Sequence, residues 1–269
     1  MPIYTASPIT VFDQPAFHSV DEVVTGIAFD LHNEFGRYLD EALYKTEMAN
    51  RLAACGYDVA REMKITAELD DFQKEYFADF LINSGVIVET KVAEALTPAH
   101  TAQTLNYLFM CGLNHGTLLN LRSARVEHEF VSTKLTLEDR RRASWDLSDW
   151  SPLSPNCSLL KFTLERALTD WGGGLDPILY RDALTHFLGG SDIVIRDVEL
   201  RSQFGLLGTQ KVHHVADGIA FSVTASVHRP KTVLEHHKRF LRHTSLRAIQ
   251  WVNLDRQKIT LWTIKKEDA

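Results

Sequence analysis

The stretch Ala78-Asp79-Phe80-Leu81-Ile82-Asn83-Ser84-Gly85-Val86-Ile87-Val88-Glu89-Thr90-Lys91 decides the fold of this chain. Two apolar runs flank a turn sequence at residues 83–85, which predicts a β-hairpin. The hairpin places Asp79 beside Glu89 and Lys91. Two carboxylates that face one point can bind a hard divalent cation, because such ions take oxygen ligands. An ammonium group beside them can orient a water molecule or a scissile phosphate, so the stretch predicts metal-assisted phosphodiester hydrolysis.

Flanking segments extend this pattern along the chain. The acidic, basic and amide residues occur in the order Glu41, Asp79, Glu89-x-Lys91, Gln103-xxx-Tyr107. This series resembles the PD-(D/E)XK nuclease superfamily. Glu41 and Tyr44 also resemble the N-terminal motif of its GxxExxY family, although Tyr38 stands where that motif has glycine. The resemblance covers residues 20–132.

The resemblance implies a role for each of these residues. Asp79 and Glu89 would bind Mg²⁺ or Mn²⁺, with the backbone carbonyl of Thr90 as a third ligand. Glu41 would contribute directly or through a metal-bound water. Lys91 would stabilise the nucleophile and the charge of the transition state.

Each role has a simpler alternative. Asp79 and Glu89 could be surface acids, but the apolar triplet before Glu89 indicates a buried strand, where an unpaired acid is costly. Lys91 could form only a salt bridge, and Glu41 could be a carboxylate on a helix surface. Gln103 and Tyr107 lie four residues apart on one helix face, where they could bind substrate or form a helix interface.

Composition narrows the classes of protein. Apolar residues make up 45% of the 269 residues, enough for a substantial core. No apolar run approaches the ~18 residues of a membrane helix, so we expect no membrane partner. The N-terminus lacks the features of a secretory signal. Cys55, Cys111 and Cys157 lack metal-site spacing and favour a reducing cytoplasm.

Charge differs between the two halves. Residues 1–149 hold 13 basic and 23 acidic residues, a net charge of −10, whereas residues 150–269 hold 16 and 12, a net charge of +4. A predicted helix in the second half is rich in basic residues that could hold a phosphate backbone. The candidates there are Arg229, Lys231, Lys238, Arg239 and Arg242. The alternative is an ordinary solvated helix face.

The second half also echoes the first. Gly172 and Tyr180 repeat the spacing of Gly36 and Tyr44, and both halves predict two helices, three strands, a helix and two strands. Aligning the short echoes places Asp217 on Asp79, Thr224 on Glu89 and Ser226 on Lys91. Pro177 takes the place of Glu41, so the second copy would lack a metal site.

These observations predict an α/β protein of two tandem restriction-endonuclease-like units, each with a mixed central sheet flanked by helices. We expect an N-terminal arm at 1–19, a nuclease-like domain at 20–135, a linker at 136–156 and a degenerate domain at 157–269. The arm should be irregular, because it contains three prolines and no periodic pattern.

The expected function is metal-dependent nuclease activity in the first unit, with the second unit aiding binding. We expect DNA as the nucleic-acid partner and either a monomeric pseudo-dimer or a homodimer. The alternative function is a non-catalytic nucleic-acid-binding or scaffold protein that keeps a residual metal site.

Overall fold

Two six-stranded mixed sheets, each flanked by helices, form the computed structural model of the chain and confirm the expected α/β class. The structure describes residues 2–226, 230–255 and 258–268. The chain divides into one unit of Met1–Glu68 and Gln73–Thr136, and a second of Leu69–Phe72 and Leu137–Ala269. In the described part of the chain, no helix is both long and apolar enough to cross a membrane.

The first sheet belongs to the first unit, and its strands follow one another in chain order. Strands β3 and β4 are antiparallel, β4 and β5 are parallel, and β5 and β6 are antiparallel. The parallel step is made by a helix, as such connections require. The elements are β1 (Ile3–Thr5), α1 (Gln14–Phe35), α2 (Glu41–Ala54), β2 (Val59–Leu69), β3 (Phe72–Ile82), β4 (Val86–Lys91), α3 (Pro98–Cys111), β5 (His115–Asn120) and β6 (Glu127–Ser132).

The core of the first unit lies between the sheet and helices α1 and α2. Helix α1 buries residues spaced three or four apart, which is the period of one helix face. Tyr44 on α2 is fully buried, and its hydroxyl donates to the carbonyl of Gly36, just after α1. This bond joins the two helices at the turn between them.

The second sheet has the order β7-β12-β11-β10-β9-β8. Strands β8, β9 and β10 are antiparallel neighbours, β10 and β11 are parallel across α8, and β11 and β12 are antiparallel. The elements are α4 (Leu137–Arg141), β7 (Ser144–Asp146), α5 (Pro155–Trp171), α6 (Pro177–Phe187), α7 (Ser191–Val194), β8 (Ile195–Ser202), β9 (Gly205–Ala216), β10 (Ile219–Thr224), α8 (Pro230–Arg242), β11 (Ala248–Asp255), β12 (Lys258–Lys265) and a 3₁₀ turn (Lys266–Asp268).

Strands β3–β6 of the first unit and β9–β12 of the second pair in the same sequence of directions: antiparallel, then parallel, then antiparallel. Each unit also joins its first two main helices in the same way, since Tyr180 on α6 donates to the carbonyl of Gly172 after α5. The spacing of Gly172 and Tyr180, noted in the sequence, therefore has the same structural meaning as that of Gly36 and Tyr44.

The first nineteen residues are more ordered than we expected. Strand β1 pairs antiparallel with β2, and α1 begins at Gln14 rather than near Val20. The Asp13 carboxylate caps this helix by accepting from the amide of Ala16 at 2.9 Å. Pro15 lies in the first turn, where proline is compatible with a helix, so its presence did not indicate an irregular arm.

Residues 136–156, expected to be a linker, contain α4 and β7. Strand β7 pairs parallel with β12 and so extends the second sheet. The buried Arg140 guanidinium on α4 donates to the carbonyls of Trp171 and Gly173, both at 2.9 Å. The charge-rich composition of this segment therefore includes a cation that closes a helix end within the second unit.

Candidate functional site

The candidate site lies where strands β3 and β4 part. Their paired register runs from Ile82–Val86 to Phe80–Val88. At the next position, side chains take over from the backbone ladder. The Asp79 amide donates to Glu89 Oε1 at 2.9 Å, and the Thr90 amide donates to Asp79 Oδ2 at 2.8 Å. Each carboxylate is thereby fixed by the backbone of the opposite strand.

Further bonds hold Asp79 in place. The Thr90 hydroxyl donates to Asp79 Oδ2 at 2.8 Å, and the Lys45 ammonium lies 2.5 Å from Oδ1. Asp79 is only 6% exposed, and both of its oxygens have charged or polar partners. Such charge-assisted bonds to a buried carboxylate are strong and fix its orientation.

Glu89 is the most deeply buried acid of the site, at 1% exposure. Burial, together with the neighbouring Asp79 carboxylate, raises the pKa of Glu89 to about 7. Lys91 opposes this effect, since its ammonium lies 3.2 Å from Glu89 Oε2. The two carboxylates therefore repel one another in a dry environment, and a further positive charge between them would relieve that repulsion.

Lys45 forms the centre of the network, and the sequence analysis did not identify it as a site residue. Its ammonium contacts Asp79, Glu41 Oε1 at 2.9 Å and Glu62 Oε1 at 3.4 Å. Burial lowers the pKa of Lys45, but the hydrogen bonds to Asp79 and Glu41 outweigh burial and hold it well above its ordinary value. Glu41 thus reaches the site through a lysine one helical turn further along α2.

Glu62 is a second residue that the sequence analysis missed. It lies in β2 with a φ of 46°, a backbone conformation that is uncommon for residues other than glycine. Strand irregularities of this kind are frequent beside functional sites, where they re-aim a side chain. Here the irregular residue directs a carboxylate towards Lys45.

Gln103 and Tyr107 form a hydrogen-bonded pair on α3. Gln103 Nε2 donates to the Tyr107 hydroxyl at 3.1 Å. Burial raises the pKa of Tyr107 to about 12, and the charge of Glu89 adds to the effect. The phenol therefore stays neutral near the carboxylate pair and remains able to donate a hydrogen bond.

The chemical type of the ligand atoms at the candidate site suits a hard cation. All the acidic side chains that converge here offer oxygen atoms, as Mg²⁺ and Mn²⁺ prefer. In the described part of the chain, however, no group of three or more His, Cys, Asp or Glu side chains is arranged to hold a metal ion. Lys45 supplies the positive charge among Glu41, Glu62 and Asp79. Asp79 and Glu89 together offer two carboxylates at one place, and the carboxylate of Glu41 lies beside them on the other side of Lys45.

The basic residues predicted to bind nucleic acid lie on α8 of the second unit. Lys231, Arg239 and Arg242 are exposed, whereas Lys238 is half-buried and lies 3.6 Å from Glu235. Arg229 falls outside the described residues. The opposite face of the helix packs on the sheet through Val233, Leu234, Phe240 and Leu241. The structure thus presents three of the predicted cations to solvent.

A matched pair of asparagines fixes the correspondence between the units. Asn120 accepts from the Ala93 amide at 3.1 Å and donates to its carbonyl at 2.8 Å. Asn253 makes the same two bonds to Ser226, at 2.8 and 3.1 Å. The asparagine and its bonding partner are each shifted by the same 133 positions from the first unit to the second (253 − 120 and 226 − 93).

This register corrects the alignment predicted from the sequence. Lys91 pairs with Asn120 across β4 and β5, and Thr224 pairs with Asn253 across β10 and β11. Thr224 therefore corresponds to Lys91, and Ser222 corresponds to Glu89. The predicted alignment of Thr224 on Glu89 and Ser226 on Lys91 was wrong by two residues.

The alignment of Asp217 on Asp79 was also wrong. Asp217 lies in the two-residue turn between β9 and β10 and is fully exposed. Ala216 pairs with Ile219 as Ile82 pairs with Val86, so Asp217 follows the end of its strand whereas Asp79 lies within its strand. The first helical residues, Glu41 of α2 and Pro177 of α6, do correspond as predicted. The three second-unit residues matched in this way, Pro177, Ser222 and Thr224, are not acids.

One family of known proteins matches the part of the chain that carries the candidate site. The sequence model of the PD-(D/E)XK nuclease superfamily matches residues 18–132. Members of this superfamily are generally nucleases and typically use divalent metals. No curated protein and no solved structure matches the chain significantly. The matched residues contain every candidate of the carboxylate site and end before Leu137, where the longer segment of the second unit begins.

Proposed function

We propose that the first unit hydrolyses phosphodiester bonds of nucleic acid, with Mg²⁺ or Mn²⁺ as cofactor. The observation that carries this proposal is the buried Asp79–Glu89 pair, held by backbone amides beside Lys91. Its location inside a nuclease-superfamily domain gives the pair its chemical context. Within the superfamily we place the unit in the GxxExxY family.

Asp79, Glu89 and the carbonyl of Thr90 would hold the metal, with Glu41 contributing directly or through water. When bound, the ion would polarise the scissile phosphate and lower the pKa of a bound water. The protein's own part is to fix the carboxylates: Thr90 holds Asp79 by two bonds, and the Asp79 amide holds Glu89.

Lys91 would act on the reacting phosphate. In the structure its ammonium contacts Glu89, which keeps it at the edge of the carboxylate pair. A fixed positive charge in a buried site stabilises the negative charge that develops in the transition state. Tyr107, kept neutral by burial and oriented by Gln103, can donate to a phosphate oxygen.

The second unit would be a degenerate copy that aids binding. Ser222 and Thr224 replace Glu89 and Lys91 in the shared register, so this unit lacks the groups that would hold a metal. The exposed cations Lys231, Arg239 and Arg242 of α8 would contact the phosphate backbone of DNA. The chain would act either as a monomer, in which the two units form a pseudo-dimer, or as a homodimer. The free cysteines Cys55, Cys111 and Cys157 favour the cytoplasm.

Lys45 favours a second candidate function. Its ammonium lies among Glu41, Glu62 and Asp79, where it balances the acidic charge without a metal. If that arrangement persists in solution, the first unit is a non-catalytic nucleic-acid-binding or scaffold module. The two functions differ in one property, because only the nuclease exchanges the Lys45 contact for a divalent ion.

Cleavage of labelled single- and double-stranded DNA and RNA tests the proposal. The wild-type chain should cut at least one substrate with Mg²⁺ or Mn²⁺ and none in a chelator. Asp79→Asn keeps the size of the side chain but removes its charge, and should abolish cutting. Failure of the wild type on every substrate with both metals would favour the non-catalytic function.

A further inference from the structure

The second unit has a cavity at the place where the first unit has its carboxylates. In the first unit, β3 and β4 part beyond Phe80 and Val88. In the second unit, the paired register of β9 and β10 ends at His214 and Ala220, just before Ser222. Along β10 the strands separate one residue earlier than along β4, since Ala220 corresponds to Ile87, and a cavity of about 260 Å³ lies there.

Rings and polar groups line this cavity in place of acids. The residues that define its chemistry are Lys211, His213, Phe221, Ser222, His237 and Phe240. None of the described residues that line it is acidic. His213 and Phe221 already contact one another edge to face, with ring centroids 5.5 Å apart. The cavity therefore has no negative charge that would repel a phosphate, and it offers aromatic faces on which a planar heterocycle can stack.

His237 presents a defined hydrogen-bonding pattern. Its Nδ1 lies 2.9 Å from the carbonyl of Val233, which can only accept, so Nδ1 carries the proton. Burial lowers the pKa of His237, which keeps the ring neutral. Nε2 is then an acceptor. The Ser222 hydroxyl, which also lines the cavity, can donate or accept. His237 Nε2 and this hydroxyl can therefore pair with the edge of a planar heterocycle that carries both a donor and an acceptor.

We propose that this cavity binds one unpaired nucleobase. The proposal rests on the proposed function, because it takes nucleic acid as the ligand of the chain. The volume of the cavity, about 260 Å³, is slightly below the lower limit of about 300 Å³ for small-molecule sites. The cavity therefore suits one base rather than a paired segment. Base-binding pockets elsewhere combine aromatic stacking with hydrogen bonds to the base edge, which is the lining found here. The exposed Lys211 can contact the adjoining phosphate.

The base itself must be separated from the phosphate backbone in the experiment. Binding is measured in a chelator, so that no strand is cut, with a labelled single-stranded oligodeoxynucleotide and an abasic strand of equal length. The wild type should bind the base-bearing strand about tenfold more tightly, in line with base–aromatic stacking. Competition with free adenosine monophosphate distinguishes a base within a strand from a free nucleotide.

Two variants examine the cavity in different ways. Phe240→Leu removes an aromatic face but keeps an apolar side chain in the core, and Ser222→Phe fills the space. Both should reduce the affinity for the base-bearing strand to that for the abasic strand. Phe162→Leu, at an exposed aromatic on α5, is the matched control and should leave the tenfold preference intact.

Equal wild-type affinity for the two strands would overturn the base site, even if the protein cuts nucleic acid in Mg²⁺. A base preference that survives Ser222→Phe in a folded variant would overturn it as well. A preference for bases in a chain that cuts no substrate would support the cavity and refute the nuclease. Displacement of the strand by adenosine monophosphate would support base binding, and tighter binding of the free nucleotide than of the strand would identify a nucleotide as the ligand.

Discussion

The two units differ most where their folds agree best. Each has a helix that crosses between two parallel strands, and each fixes that region with an asparagine that bonds to both backbone groups of one residue. In that shared frame, Glu89 faces Asp79 in the first unit, whereas Ser222 borders an open cavity in the second. The frame therefore does not depend on the carboxylates, and the chemistry of the site can change while the sheet persists.

Among variants that keep the metal ligands, removal of the Lys91 ammonium should have the largest effect on the first unit. Lys91→Ala should reduce kcat about 10²–10³-fold, as loss of a group that stabilises transition-state charge does in other enzymes. Metal binding should remain, because the lysine is not a ligand. Single-turnover cleavage measures the first quantity and calorimetric metal titration the second. A variant that cuts as fast as the wild type would refute the role of Lys91.

Metal-dependent stability separates Asp79 from its misaligned counterpart. Free metal at about 100 times Kd should stabilise the wild type by about 2.7 kcal/mol. Asp79→Ala should lose that gain, whereas Asp217→Ala should keep it because Asp217 lies in an exposed turn. Thermal unfolding with and without Mn²⁺ provides the measurement. Equal metal-induced shifts for wild type and Asp79→Ala would remove Asp79 from the ligands.

The asparagines should show that the two frames are equivalent. Asn120→Ala and Asn253→Ala each leave a backbone amide and carbonyl without their partner. These groups are half-buried, so each loss should cost about 1 kcal/mol, the lower end of the range for buried groups. Asn120 also donates to the Glu127 carboxylate at 2.7 Å, whereas Asn253 also accepts from the neutral Thr224 hydroxyl at 2.8 Å, so replacement of Asn120 should cost more. Denaturant unfolding measures both. A negligible cost for Asn253→Ala alone would break the comparison at its structural basis.

Sequence reasoning predicted the proximity of Asp79 and Glu89 correctly but aligned the repeat wrongly. The hairpin and the pair of Asp79 and Glu89 follow from local patterns, namely apolar runs, a turn and charges at its ends. The sequence did not identify Lys45 as a site residue, because its contact with Asp79 depends on how α2 lies against β3. Its i, i+4 spacing from Glu41 was nevertheless a usable signal. Glu62 gave no such signal, because a positive φ within a strand is a property of the backbone.

The second unit was harder to predict for a physical reason. Register in a hairpin depends on the length of its turn, and three residues join β3 to β4 whereas two join β9 to β10. The short sequence echo also matched Asp217, which lies in a turn, with Asp79, which lies inside a strand. The arm and the linker were misjudged because prolines and charges are compatible with the first turn of α1 and with the buried Arg140 of α4.

The smallest expected effect concerns the exposed cations of α8. Replacing Lys231, Arg239 and Arg242 with glutamine should weaken DNA binding and flatten its salt dependence, since each lost phosphate contact removes about 0.9 from the log–log slope on duplex DNA. Lys238→Gln is the control, because its ammonium lies beside Glu235. Affinity at several salt concentrations measures the slope. An unchanged slope in a folded triple variant would assign this face to solvent alone.

The most direct test of the account compares the two register-matched positions in one assay. Glu89→Ala and Ser222→Ala are measured side by side for Mg²⁺- and Mn²⁺-dependent cleavage of the same labelled strand. The account predicts that Glu89→Ala abolishes cleavage, while Ser222→Ala retains the catalytic rate of the wild type at saturating substrate. Full activity of folded Glu89→Ala, or loss of the catalytic rate in Ser222→Ala, would contradict the claim that hydrolysis belongs to the first unit.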